Sequence, residues 1–399
     1  MKILLLSNHY LPMKTSCAVQ MRDLAIEFLR LGHKPIVVTV SEDTNKSSIT
    51  EKMDGIDVVR IKINEKKKDL YFNRGINEIL IPLKVIIGIR KSKLTINDLD
   101  AIIWYSPTIF FGPVVSYLKR VSRCPSYLIL RDIFPEWALD LGILKKNLIY
   151  YFLKIVAKYQ YSVANVIGVQ TLSNLKYLEG WSKKSKRKLE VLNNWLSPIN
   201  EKKTNISLSD TNLFGRKLFV YVGNMGIAQG LDIFIELAAD LKSRKDLGFL
   251  FVGRGSEVNK LKKLSALKQL DNILFFDEIN PDEVPSLLKM CHVGLISLDL
   301  RHKSHNIPGK FLSYLQAGLP VLAKINPGTD LQNIIEKEKV GIVYTYDSVN
   351  DFRTLAQKII DDEKNHKIMS DLGRSLYHKM FSTRKITKKI ISSLSDYMK

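Results

Sequence analysis

The sequence predicts an α/β protein made of two doubly wound domains in series. Three observations carry that expectation. At 399 residues the chain exceeds what one ordinary core serves. Apolar runs of strand length alternate with longer helical patterns in two separate sets. A polar, proline-containing stretch from Ser197 to Arg216, SPINEKKTNISLSDTNLFGR, divides the sets.

The first set runs Ile3 to Leu6, Pro35 to Val40, Asp57 to Ile63, Ala101 to Trp104, Tyr127 to Leu130 and Val166 to Val169. Strands that are apolar throughout and separated by helices belong in a parallel sheet covered on both faces. The second set runs Leu218 to Val222, Phe249 to Val252, Ile273 to Phe276, Val293 to Ser297, Val321 to Ala323 and Gly341 to Tyr344. From Leu355 to Lys399 the pattern is helical with no further strand, which predicts a tail packing back on the first domain. The expected division is 1–196, a linker 197–216, a second domain 217–375, and a crossing helix 376–399. Two open sheets in series point the carboxyl ends of their strands at a shared cleft, where ligands of such folds bind.

The chain is 45% hydrophobic and 25% charged, as in globular proteins, but its net charge of +21 is unusual. Such a field attracts polyanions: nucleic acid, an acidic membrane face or phosphorylated small molecules. The three cysteines, Cys17, Cys124 and Cys291, lack metal-site or disulfide spacing, and a reducing cytoplasm fits them. The opening MKILLLSNHY reads as a first strand and not a signal peptide. Ile76 to Ile89 contains Glu78, Pro82 and Lys84 and is shorter than the roughly 20 residues needed to span a bilayer. Between Arg60 and Lys93 ten Lys or Arg stand against three acids, interleaved with Ile79, Leu80, Leu83, Ile86 and Ile87. A basic amphipathic segment of this kind can rest on an anionic membrane. No aromatic and basic stacking motif of the nucleic-acid-binding modules is present, so nucleic acid is not expected as a partner.

Three strand-to-helix turns carry the chemistry. YVGNMGIAQG at 221–230 places glycines after a strand, so backbone amides can approach a phosphate and the next helix points its positive end there. FVGRGSEVNKL at 251–261 repeats the design and adds Arg254, which can clamp a phosphate in two places. HNIPGKFLSYLQAGLPVLA at 305–323 adds Lys310. Taken alone the last is an ordinary packing unit, with Phe311, Leu312, Tyr314 and Leu315 on one helical face and Gly318 behind it. All three at one sheet edge predict a nucleotide diphosphate site.

These turns, followed by NILFFDEINPDEVPSLLKMCHVGLISL and read with ILLLSNHYLP and LAIEFLRLGHKPIVVTV in the first half, resemble family 4 (group 1) glycosyltransferases. That family has the GT-B fold of two Rossmann-like domains facing a central cleft. IWYSPTIFFGP and LRDIFPEW resemble the branch that builds bacterial surface polysaccharides such as O-antigen and capsule. The resemblance implies transfer of a sugar from a nucleotide-sugar, a UDP-sugar being expected, with retention of configuration and without a bound metal or other cofactor. It implies a lipid-diphosphate-linked glycan as acceptor and a cytoplasmic, peripheral place on the inner membrane face. It makes Lys310 and Arg254 the cations that hold the leaving diphosphate. Gly223, Asn224, Gly226, Gln229, Gly230, Ile279, Asn306, Pro308, Gly309 and Ser313 become further donor-binding positions.

This sequence departs from the family pattern at two places. Many relatives carry two glutamates separated by seven residues, the second of which binds the donor ribose; those positions are His305 and Ser313. A serine loses the charge-assisted grip on two hydroxyls. The family's arginine and lysine of the first turn fall on Asn224 and Gln229, so donor binding should lean on Lys310 and Arg254. In the first domain, PMKTSCA at 12–18 stands where relatives place two glycines. Tyr10, Lys14, Thr15, Ser16, Arg131 and Glu136 are expected at the acceptor, and Asp132 is expected to position or deprotonate its hydroxyl. A cap for the following helix is the competing role for Arg131 and Asp132. Cys17 reads as a small filler and not as a nucleophile. Two other readings are open: a non-catalytic nucleotide-sugar-binding subunit, and a UDP-amino-sugar epimerase of the same fold.

Overall fold

Both sets of apolar runs form parallel sheets in a computed structural model of the chain, which describes all residues except 43, 45, 64–70, 141, 184–186, 199–201, 300–305, 347–348 and 399. The chain divides into two units, Met1–Asn193 with Thr383–Lys399, and Asn194–Ser382.

The first unit holds β1 (Lys2–Ser7), β2 (Lys34–Ser41), β3 (Ser48–Met53), β4 (Ile56–Lys62), β5 (Ala101–Tyr105), β6 (Ser126–Leu130), β7 (Val166–Val169) and β8 (Lys188–Val191). Their order across the sheet is β3-β4-β2-β1-β5-β6-β7-β8, parallel but for β3 against β4. Both β3 and β8 escaped the apolar pattern. The middle residues of β3 are exposed because it is a polar edge strand; its signal was the Asp54-Gly55 turn, whose φ values of 50° and 80° suit a tight hairpin. Helices Tyr71–Lys91, Gly112–Ser122 and Leu148–Ser162 bury one flank each in a shared core with Trp104 and Phe111. The helix Ser16–Arg30 starts at Thr15, whose hydroxyl accepts from Ala18 N.

The second unit holds β9 (Lys217–Val222), β10 (Leu247–Val252), β11 (Ile273–Phe276), β12 (Val293–Ser297), β13 (Val321–Lys324) and β14 (Gly341–Tyr344), in the order β11-β10-β9-β12-β13-β14. All pairs are parallel. Winding reverses between β9 and β12, so their carboxyl ends form the switch point at which ligands of open sheets bind.

Two boundaries differ from expectation. The stretch expected as linker lies within the second unit, and it buries Ile206, Leu208 and Leu213 in that unit's core. Its sparse apolar residues were hidden among polar neighbours. The crossing helix begins at Thr383 and not at 376, because helix Glu363–Leu376 and the π-turn Tyr377–Phe381 still pack on the second unit. Helix Thr383–Ser395 then lies in the first unit against Ser16–Arg30. It is tied to β8 by Ser393 Oγ to Glu190 at 2.9 Å and by Lys188 to Asp396 at 2.9 Å. Among the described residues no helix is long and apolar enough to cross a membrane.

Candidate active site

The β9–β12 ladder covers Phe219–Val293 and Val220–Gly294. Past it the strands part, and the Tyr314 hydroxyl fills the gap. It accepts from Val222 N at 3.1 Å and shares its single proton between Val220 O at 3.2 Å and Leu295 O at 3.3 Å. A Cβ at residue 294 would lie 2.4 Å from the Tyr314 ring, so glycine is needed for this close approach. Tyr314 thereby pins helix Gly309–Ala317 to the switch point.

The pinned helix directs its first turn at the end of β9. Lys310 is half-buried there, and a Cβ on Gly223 would lie 3.5 Å from its Cε. Its Nζ donates to the Tyr221 hydroxyl at 2.6 Å and lies 4.1 Å from the centroid of that ring. Tyr221 in turn donates to Asn224 O at 2.6 Å. Burial pushes the Lys310 ammonium down to about 7 and the Tyr221 hydroxyl upward. Pro308 caps the helix without a side-chain bond and no acid stands in the first turn, so its positive end has no anionic side chain of its own. Gly309 is exposed at this end, and Ser313 is half-buried one turn after Lys310. Asn306 is half-buried just before the helix, and His305 lies outside the described residues.

The glycine turn is braced from within. The Gln229 side-chain oxygen accepts from Gly226 N at 2.9 Å and from Asn224 Nδ2 at 3.2 Å. Asn224 and Gln229 thus hold each other, where the resemblance expects two cations. Gly230 closes the turn at φ 54°, and Ser297 Oγ donates to its carbonyl at 3.2 Å. The glycines of the second turn serve a different end from phosphate approach. A Cβ on Gly253 would fall 2.0 Å from Gly223 O, and one on Gly255 2.2 Å from Met225 O. The two turns lie backbone against backbone, with Met225 N bonded to Arg254 O at 2.7 Å and Glu257 N to Met225 O at 3.0 Å.

Arg254 is 69% exposed, and its Nε pairs with Glu278 at 3.4 Å. It forms a surface ion pair beside the turn, in contrast to the half-buried, hydrogen-bonded Lys310. Ile279 is half-buried against the unit's core. Tyr221, Gly294, Tyr314 and Glu278 were not expected at the site. Their signal was slight: a tyrosine two residues before the first glycine of the turn, and another inside a helix face whose other residues are phenylalanine and leucine.

In the first unit the expected acceptor residues separate. Lys14 and Ser16 are exposed in the loop after β1, where Thr15 caps the helix and faces His9 Nδ1 at 3.2 Å. Tyr10 is 1% exposed, so it is a core residue and offers nothing to a ligand. Arg131 is buried too. Its guanidinium donates to Leu192 O at 2.5 Å and Asn193 O at 3.3 Å, bracing the chain after β8. Arg131 follows β6 and stays buried, which a count of charges cannot reveal. Burial pushes the Cys17 thiol up to about 12, with a smaller push in the same direction from the charge of the half-buried Asp132. Cys17 is therefore an unreactive filler. Glu136 opens helix Glu136–Asp140, pairs with Lys154 at 3.2 Å and lines a cavity with Ile133 and Trp181.

Residues 207–376 match the family described as Glycosyl transferases group 1. The chain is 27% identical over 224 residues to the probable glycosyltransferase WbjE of Pseudomonas aeruginosa, covering 54% of each. It is 26% identical over 253 residues to the putative colanic acid biosynthesis glycosyl transferase WcaI of Escherichia coli, covering 59% of this chain and 60% of that one. The chain thus spans about half the length of the curated relatives it matches. Among solved structures, HepE of Anabaena in complex with UDP and glucose is similar with a TM-score of 0.71 at 15% identity, over 99% of this chain and 100% of that one. WaaG, a glycosyltransferase involved in lipopolysaccharide biosynthesis, is similar with a TM-score of 0.64 at 13% identity, over 97% and 98%. At such identities the likeness is one of fold, and that fold is GT-B.

Proposed function

We propose, for a chain whose residues 207–376 belong to the group 1 glycosyl transferases, a retaining transfer of a sugar from a UDP-sugar to a lipid-diphosphate-linked glycan in bacterial surface polysaccharide assembly. The observation that carries this reading is Lys310, a half-buried ammonium at the uncapped positive end of helix Gly309–Ala317, beside the Gly223 turn at the switch point. As the bond from the anomeric carbon to the diphosphate breaks, negative charge grows on the departing phosphate. Lys310 and the first-turn N–H groups meet that charge with donors already in place, which is the economical way to lower such a barrier. In this reading they supply the positive charge without a metal. Arg254 adds a second cation, since an exposed ion pair such as Arg254–Glu278 contributes only about 0–1 kcal/mol and is easily exchanged for phosphate. Asp132 is the proposed group that positions or deprotonates the acceptor hydroxyl.

The acceptor and the membrane belong to the same proposal. In the basic segment 60–93, Ile79, Leu80, Leu83 and Ile87 are exposed, while Lys66, Lys67 and Lys68 lie outside the described residues. Such a segment suits the inner face of a cytoplasmic membrane. A second reading, a nucleotide-sugar-binding subunit without turnover, draws on His305 and Ser313, where many relatives carry acids.

Thermal stabilisation by UDP, GDP, UMP and a short DNA duplex, followed by a transfer assay, tests the reading. Stabilisation by UDP with sugar transfer is expected. UDP binding without transfer to any acceptor would favour the subunit, and a salt-sensitive response to DNA alone would defeat both.

A further inference from the structure

The chain enters the second unit at Asn194. That side chain is buried, and its Nδ2 donates to Ile307 O at 2.7 Å, 113 positions further along the sequence. The residues that follow it bond to the other end of helix Gly309–Ala317. Gln316 Nε2 donates there to Ser197 O at 3.1 Å and to the Tyr377 hydroxyl at 2.9 Å, and Tyr377 donates to Leu196 O at 2.8 Å. The helix is thus held at three places: by Asn194 just before its start, by Tyr314 at its middle and by Gln316 near its end.

The tie at Ile307 acts on the first turn through Pro308. Proline locks its own φ near −65°, and Pro308 stands at −63°. A peptide unit is planar, so once Asn194 holds the carbonyl of Ile307 the plane leading into Pro308 is set. Only the ψ of Pro308, at 140°, then separates that plane from Gly309 and Lys310. The N–H groups of Gly309 and Lys310 have no partner within the helix, because they lie in its first turn, while Phe311 N turns back to Pro308 O at 3.0 Å. One hydrogen bond from a buried amide therefore directs two open N–H groups and the base of the Lys310 side chain.

We propose that Asn194 is a positioning residue for the departing diphosphate: through Ile307 O and Pro308 it aims the first turn of helix Gly309–Ala317, and Lys310 with it, at the β-phosphate. It acts through the backbone and is given no contact with substrate. The inference rests on the donor site proposed above and adds how that site is kept in register. Donors fixed in advance lower a barrier because they need no reorientation as charge grows, and a misplacement on the order of 1 Å can cost about 100-fold in rate. UDP probes that register, since its terminal β-phosphate carries the charge that develops there during transfer. UMP ends one phosphate short of it.

The test is calorimetric titration of the full chain with UDP and with UMP. Asn194→Ala should weaken UDP about tenfold and leave UMP within about twofold of the parent. Asn194→Asp keeps the shape but offers Ile307 O no amide donor, and it should lose as much. Gln316→Ala removes a tie of the same kind from the far end of the helix. Its melting temperature should fall about as far as that of Asn194→Ala, while its preference for UDP over UMP stays at the parent value. Equal losses of UDP and UMP in Asn194→Ala, or a preference lost equally in Gln316→Ala, would make Asn194 a structural tie only and overturn the proposal. Parent-like UDP affinity in Asn194→Ala would also overturn it and leave the donor site standing. A parent that binds UDP without transferring sugar would count against the proposed function alone, because the affinity ratio reads Asn194 without turnover. A parent that binds no UDP would overturn the donor site and this inference together.

Discussion

The Lys310 ammonium reaches the Tyr221 hydroxyl at 2.6 Å, and through it the Asn224 carbonyl of the glycine turn. One side chain therefore joins the helix that carries the positive end to the loop that carries the backbone amides. Its replacement tests the proposed reaction most directly. Lys310→Met should lower kcat for sugar transfer by about 100-fold or more, in the range seen when one donor to a developing anion is removed. Its melting temperature should be no lower than that of the parent, because a buried amine whose protonation folding disfavours has gone. Transfer within a few-fold of the parent would remove Lys310 from the mechanism.

The same residue sets a pH dependence. Its folded value of about 7 lies below the ordinary 10.5, so between those limits the unfolded chain holds a proton that the folded chain lacks. Stability from this group therefore falls as pH drops from 10.5 to about 7 and is constant below. A bound diphosphate reverses the preference and draws the proton back. Calorimetry of UDP binding near pH 8, in buffers of different ionisation enthalpy, should show net proton uptake that Lys310→Met abolishes.

Tyr314 and Gly294 should behave as one unit. Tyr314→Phe leaves Val222 N without its partner at 3.1 Å inside the sheet, a loss of about 1–3 kcal/mol. Gly294→Ala places a methyl 2.4 Å from the Tyr314 ring and should destabilise by a similar amount. Chemical denaturation reads both. Because the two changes share one contact, the double variant should fall short of the sum.

Ser313 lies one helical turn from Lys310, where the family pattern expects a ribose-binding carboxylate. Ser313→Glu should lower the KM for the UDP-sugar about tenfold, as a charge-assisted bond to a hydroxyl would. An unchanged or raised KM would mean that the ribose is held elsewhere.

Much of the fold was legible because burial on both faces writes itself as uninterrupted apolar runs. All twelve expected strands formed, from Ile3 to Leu6 through Gly341 to Tyr344. The two others, β3 and β8, are polar edge strands with no buried residue, so they carry little apolar signal. The helix start that carries Lys310 was legible too, from the proline and glycine before it. Arg131 was misread because a charged residue at a strand end can point either to solvent or to backbone carbonyls, and here Leu192 and Asn193 capture it.

By itself the sequence determined the alternation of strands and helices, the glycine turns and the cation that follows them, since periodicity and turn chemistry are local. Only the tertiary structure decided what each glycine is for. Gly253 and Gly255 admit a neighbouring backbone, Gly294 admits the Tyr314 ring, and Gly223 faces Lys310. Those roles depend on which atoms arrive from elsewhere in the chain. The same is true of helix Leu148–Ser162, whose apolar residues look like core until the sheet beneath it is covered and a stripe of them is left outside.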